Sequence, residues 1–170
     1  MRLNLKQIGV NGQDSLDFQT ALDLSAARRW GEHPVPDPVD VRGIITGQNG
    51  IYTLNCTARF EHAARCARCL EEIRRPLAME FSHIIAEELA DESAGEFVLA
   101  PDGELELDGL IAADILLELP DNPLCTPECK GLCPVCGKNR NISDCDCETA
   151  PPDPRFQKLR EWMQQQNPTD

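Results

Sequence analysis

Cys125-Thr126-Pro127-Glu128-Cys129-Lys130-Gly131-Leu132-Cys133-Pro134-Val135-Cys136-Gly137, followed shortly by Cys145-Asp146-Cys147, gathers six thiols into one stretch of the chain. Pro, Cys and Gly dominate from Pro120 to Pro152, and too few aliphatic residues remain there to build an apolar core. Something other than hydrophobic burial must hold this segment. Zinc takes four soft, deprotonated ligands in a tetrahedron, and a C-x2-C turn delivers two sulfurs to one ion at about 2.3 Å each. Gly137 lets the backbone after such a pair enter the left-handed region, and C-x-C on an extended segment points both sulfurs the same way. Cys133, Cys136, Cys145 and Cys147 therefore make one complete ligand set.

Far upstream, Cys66-Ala67-Arg68-Cys69 supplies another C-x2-C pair. With Cys125 and Cys129 it makes a second set of four if the fold brings the two pairs together. Of the nine cysteines, two tetrads leave only Cys56, which lies on the apolar side of its strand and reads as an inert core thiol. In a competing arrangement, Cys125 and Cys129 merely flank the first tetrad, and the Cys66 pair is a free dithiol or takes a ligand from elsewhere. The expected cofactor is structural zinc, two ions per chain.

Outside this region the chain alternates. Leu16, Phe18, Leu22 and Leu24 stand among polar residues, as do Tyr52, Leu54, Cys56, Ala58 and Phe60, which is the period of half-buried strands. Val39 to Ile45 precedes Gln48-Asn49-Gly50, a hairpin signal, and Leu77, Met79, Phe81, His83 and Ile85 share one face of a further strand. After an acidic connection around Asp91 to Gly103, Asp108 is positioned to cap a helix from Gly109 to Leu119, ended by Pro120. That helix is apolar on nearly every side, with only Asp114 and Glu118 as a polar stripe, so it packs against the sheet with apolar surface to spare. Asp153 as cap and Pro154 at the first helical position announce a short final helix with Phe156, Leu159, Trp162 and Met163 on one side. The expected fold class is α+β: a mainly antiparallel sheet with one packed helix, a Cys-rich zinc-knuckle segment and a short C-terminal helix. Residues 1–120 are expected to form the β-rich domain, and residues 121–170 the Cys-rich segment and final helix.

The formal net charge is −13 at pH 7, which repels a phosphate backbone at long range. The charge is unevenly spread. No Lys or Arg occurs from Pro76 to Cys129, whereas Arg65, Arg68, Arg74 and Arg75 cluster near the first cysteine pair, and Lys130 and Lys138 punctuate the second region. These six cations are the candidate surface for RNA or another partner; ordinary solvated exterior is the plainer reading.

No apolar run reaches the roughly 18 residues of a membrane span. The first residues alternate polar and apolar without a secretory pattern, so a cytoplasmic setting without membrane contact is expected, and in it cysteines bind metal, catalyse or are buried. The rival function is thiol redox chemistry at Cys66 and Cys69. It lacks a helix amino terminus to activate a thiol, because that pair interrupts two strands. A catalytic zinc needs an open position with His and an acid or base nearby. His33, His62 and His83 show no ligand spacing; the first two read as surface groups and His83 as a satisfied residue on a core face. No phosphate loop or acid/base pair is present, so neither an enzyme nor a small-molecule substrate is expected.

Cys66-Ala67-Arg68-Cys69-Leu70-Glu71, the Leu-rich run to Leu119-Pro120, Cys129 through Asn139, Cys145-Asp146-Cys147 and Asp153-Pro154-Arg155 with Leu159 together resemble the YceD family, over roughly residues 40 to 160. One departure is Arg140, where many relatives carry Leu between the two asparagines. The resemblance implies a bacterial protein with plastid counterparts, needed for accumulation of 23S rRNA and hence for large-subunit assembly. Its implied partner is a large-subunit rRNA precursor or a ribosomal protein.

Overall fold

In a computed structural model, which describes residues 1–8, 14–48, 50–87, 97–147 and 154–166, the chain is α+β. Five strands form the main sheet: β2 (Ser15–Leu22), β3 (Val39–Gln48), β4 (Ile51–Arg65), β5 (Glu72–Ala86) and β6 (Phe97–Leu99), in the order β2-β3-β4-β5-β6. The first four run antiparallel as successive hairpins, while β6 joins β5 in parallel. Two short strands, β1 (Arg2–Asn4) and β7 (Glu104–Glu106), pair antiparallel as a separate ribbon. Gln48 pairs with Ile51, which closes the predicted two-residue loop, and Gly50 takes φ +79° there; Asn49 itself lies outside the described residues.

One face of the sheet is the core face. Phe18, Val41, Ile45, Leu54, Cys56, Ala58, Phe60, Phe81 and Ile85 project from it into a single buried cluster. That cluster is closed by Ile111, Ile115 and Leu119 from α1 (Leu107–Glu118) and its end. The helix begins earlier than the sequence suggests. Its cap is Glu106, whose carboxylate accepts the Gly109 N–H at 2.8 Å; Asp108 falls inside the first turn and pairs with the Met1 amino group. The acidic connection predicted from Asp91 lies outside the described residues up to position 96.

His83 Nε2 lies 2.7 Å from Asp114 Oδ2, so this polar group on the core face of β5 meets the polar stripe of α1. The final helix, α2 (Gln157–Gln166), follows a 3-10 turn at Pro154–Phe156; the predicted cap, Asp153, is outside the described residues. Phe156, Leu159, Trp162 and Met163 are all exposed on it.

Gly43 sits on the core face of β3 between Phe18 and Cys56. A Cβ built there would stand 2.5 Å from Asn55 O, 2.6 Å from Cys56 Cβ and 2.7 Å from the Phe18 ring. The ring fills the space that a side chain would need, an aromatic covering a strand glycine. Gly43→Val should destabilise the fold by about 1–3 kcal/mol, because no flexible group can yield. Chemical denaturation of the variant beside the parent measures it.

Candidate metal centres

The hairpin between β4 and β5 ends in Cys66 to Glu71. Cys66 N–H donates to Glu71 O at 2.9 Å and Leu70 N–H to Cys66 O at 3.0 Å. The same pair of bonds recurs downstream, where Cys133 N–H donates to Lys138 O at 2.8 Å and Gly137 N–H to Cys133 O at 2.9 Å. Leu70 at φ +62° and Gly137 at φ +73° occupy equivalent left-handed positions. The chain thus builds one knuckle twice.

Each knuckle meets a second pair of cysteines. The sulfurs of Cys66, Cys69, Cys125 and Cys129 all lie within 4.8 Å of one another, and so do those of Cys133, Cys136, Cys145 and Cys147. A tetrahedral ion with arms of about 2.3 Å sets its sulfurs about 3.8 Å apart. The separations of 3.7 Å between Cys66 and Cys129, and 3.6 Å between Cys69 and Cys125, match that edge. The donor set therefore fits a tetrahedral thiolate-bound metal. The first group is mostly buried, with only Cys125 exposed, whereas only Cys133 is buried in the second.

The electrostatics of the thiols are those of crowded ligands. Burial pushes the Cys66 thiol up, but backbone hydrogen bonds from Cys125, Cys69 and Arg68 outweigh it and hold the group at about 6. Hydrogen bonds from the Cys136 and Val135 backbone likewise hold Cys133 at about 6. Their neighbours move the other way. Cys69, despite a backbone bond at Glu71, is raised to about 12 by burial and the surrounding thiols, and Cys147 to about 12 chiefly by Cys136. Despite burial, Cys129 is also lowered, in part by the Asn141 hydrogen bond. In each group some thiols therefore favour the charged form while their neighbours resist it, a conflict that a bound dication would resolve. Burial raises the isolated Cys56 to about 11, as befits a core thiol.

The two groups are bound to each other through a short linker. Leu132 N–H donates to Arg68 O at 3.1 Å, and the Arg68 guanidinium donates to Cys129 O at 2.9 Å. Gly131, at φ +72°, passes so close that a Cβ would lie 3.1 Å from Arg68 O. Asn141 caps the arrangement: its Nδ2 donates to Cys129 Sγ at 3.2 Å and its Oδ1 accepts Lys130 N–H at 2.8 Å. Asn139 bridges to the hairpin, donating to Glu71 at 3.2 Å. Both asparagines lie in or beside the stretch that carries the family resemblance, but the sequence alone assigns neither a role. Arg140 between them is exposed.

The six nominated cations are placed unequally. Arg65 pairs with Glu32 at 3.4 Å and Arg74 with Glu61 at 3.2 Å, while Arg68 serves the linker. Arg75 is half-buried with its Nε lacking a hydrogen-bond partner, and Lys130 and Lys138 are exposed. His33 is exposed and its Nδ1 lies 2.8 Å from Ser25 O. His62, read from sequence as a surface group, is instead buried at 2% exposure, because it continues the core face of β4 after Phe60. Burial, then the charges of Arg75 and Arg29, lower its pKa from the ordinary 6.5.

Asn141→Ala should weaken metal binding at the Cys66 group by about 10- to 100-fold, the usual effect of losing a ligand-orienting bond, as read by competition with a chromophoric chelator. The His62 shift has a definite sign. The unfolded chain gains the proton as pH falls through about 6.5 and the folded chain resists it. The stability contribution is complete above that pH and declines below it, and His62→Gln should flatten this part of the pH profile in urea denaturation.

A family model described as large ribosomal RNA subunit accumulation protein YceD matches residues 54–161. Uncharacterized proteins of Mycobacterium tuberculosis and Mycobacterium bovis are each 33% identical over 102 residues, covering 58% of this chain and 49% of theirs. The chloroplastic large ribosomal RNA subunit accumulation protein YCED homolog 1 of Zea mays is 27% identical over 181 residues, covering 85% of this chain and 61% of its own. The chain spans about half the length of the mycobacterial relatives. No solved structure matches. Among the described residues no helix is long and apolar enough to cross a membrane. Matched across more than half its length, with both cysteine groups inside the match, the chain belongs to the YceD family.

Proposed function

We propose that this protein is a non-enzymatic, zinc-braced factor that supports 23S rRNA accumulation and large-subunit assembly by holding a basic ribosomal protein. The observation that carries the reading is the pair of four-sulfur groups inside a region matched by a family named for ribosomal RNA accumulation. Zinc bound by four thiolates keeps no position for water or substrate, so the ions would brace the chain rather than catalyse. Residues 1–120 then act as the β-rich platform and residues 121–170 as the metal-held segment.

The choice of a protein over RNA is supported by the charges. Three of the six nominated cations are already engaged within the fold, and the chain's net charge of −13 attracts basic partners. Lys130 and Lys138 remain the best candidates for a direct RNA contact.

A thiol redox role for Cys66 and Cys69 draws support from the thiol held near 6. Two observations weigh against it. The pair lies in a strand-to-strand loop without a helix amino terminus, and two further sulfurs stand where ligands would.

Protein purified without chelators should carry two zinc ions per chain, counted by elemental analysis. Cys133→Ser and Cys66→Ser should each lose about one ion and keep the other. Structural zinc supplies about 10–16 kcal/mol of apparent binding free energy, so chelation should disorder residues 124–147 before the strands. Metal-free protein with an unchanged spectrum in that segment, together with dithiol turnover, would favour the redox reading instead.

A further inference from the structure

Trp30 and Leu70 stand in the left-handed region of the backbone, at φ +51° and +62°. Bulky residues are rare there. Trp30 and Gly31 form a two-residue turn closed by Arg29 N–H to Glu32 O at 3.0 Å and Glu32 N–H to Arg29 O at 3.1 Å. Both central residues have positive φ, with Gly31 at +84°, the turn in which Asn normally precedes Gly. Leu70 holds the place that Gly137 holds in the second knuckle. In neither loop does the fold require the large side chain.

Both side chains are nevertheless turned to water, Trp30 at 70% and Leu70 at 60% exposure. Both line one cavity of about 380 Å3, shared with Pro34, Leu119, Pro120 and Pro123. Its walls are pinned: Ala63 N–H donates to Pro34 O at 2.9 Å, Ala67 N–H to Pro123 O at 2.8 Å, and Arg29 to Leu119 O at 2.6 Å. Arg29 also lies over the Trp30 ring at 4.3 Å from its centre and so holds the indole in place. Strained, exposed apolar residues on a rigid apolar hollow mark a contact surface, because strain persists where it serves binding. The volume lies at the low end of the range for ligand-sized clefts, enough to admit a large side chain.

We propose that this cavity is a docking site for a segment of a basic protein, which inserts one aromatic or large aliphatic side chain against Trp30 and Leu70. The proposal rests on the function read above and locates its contact. The charges select the occupant. Arg29 is paired with Asp121 at 2.5 Å and Arg65 with Glu32 at 3.4 Å, which leaves these cations matched rather than offered to phosphate. The adjoining hollow, which shares Glu32 and Arg65, adds Glu72, a carboxylate with no ion-pair partner among the described residues. A buried apolar anchor within a ring of charge is also the anatomy of a protein hot spot. Cys66, Ala67 and Leu70 form one wall, so the first metal centre shapes the site.

The test uses Trp30→Asn, Leu70→Gly and their combination, which install the residues that the two loops favour. The full-length variants should melt no lower than the parent and carry the same metal. They are then compared with the parent on synthetic 15-residue peptides tiling the large-subunit ribosomal proteins, and on short RNAs tiling 23S rRNA. The parent should bind a subset of basic peptides that contain an aromatic or large aliphatic residue, the double variant should bind them at least tenfold more weakly, and RNA binding should not change. Equal peptide binding by parent and double variant, no peptide binding, or a loss confined to RNA would overturn the proposal. Restoration of 23S rRNA by the parent in cells lacking their own copy is scored separately. Its failure would sink the functional reading while the peptide result still decides the site.

Discussion

Four sulfurs drawn from two distant parts of the chain are the constraint on which the cysteine-rich end of the molecule depends. Cys66 and Cys69 arrive at the tip of a sheet hairpin, and Cys125 and Cys129 arrive after the helix that covers the sheet. Around them, among the described residues, Ile73, Leu124 and Leu132 supply the apolar packing, far less than the main core enjoys. Sulfur convergence thus substitutes for burial at this end of the molecule. The second group, more exposed and built from one continuous stretch, is positioned by backbone bonds that run from the first knuckle through Gly131 and Leu132.

Much of this was legible in the sequence, for reasons that can be assigned. The long strands could be read because the sheet is buried on one face, so Tyr52, Leu54, Cys56, Ala58 and Phe60 must alternate with polar residues. The cysteine spacing marked the knuckle at Cys133 and Cys136 and a second C-x2-C pair upstream, since four-sulfur metal sites tolerate few arrangements. What spacing left open was whether the upstream pair meets Cys125 and Cys129, a question that only the path of the chain answers.

The misses have physical causes too. Strands of three residues, such as β1, β6 and β7, are too short for a period to emerge, so the parallel edge of the sheet was invisible. The polarity of His62 suggests surface, but the alternation through Phe60 places it inward. Glu106 took the cap expected of Asp108 because a longer carboxylate still reaches the Gly109 amide. Trp30 carries no signal in the sequence, since a lone aromatic in a loop has no periodic neighbours; its conformation, not its identity, sets it apart.

The separation of the first sulfur group along the chain has a temporal side. Its contacting partners are 56 and 63 residues apart, whereas the second group is complete within a single loop region. A ribosome adding about 5–20 residues per second needs about 3–12 s to supply Cys125 and Cys129 after Cys66 and Cys69 have been made. During that interval the hairpin can pair its strands, because their contacts are local. Its two thiols meanwhile wait as an incomplete ligand pair, open to the zinc and thiol buffers of their surroundings. The arrival of Cys125 and Cys129 therefore determines when the nascent hairpin stops being chemically exposed.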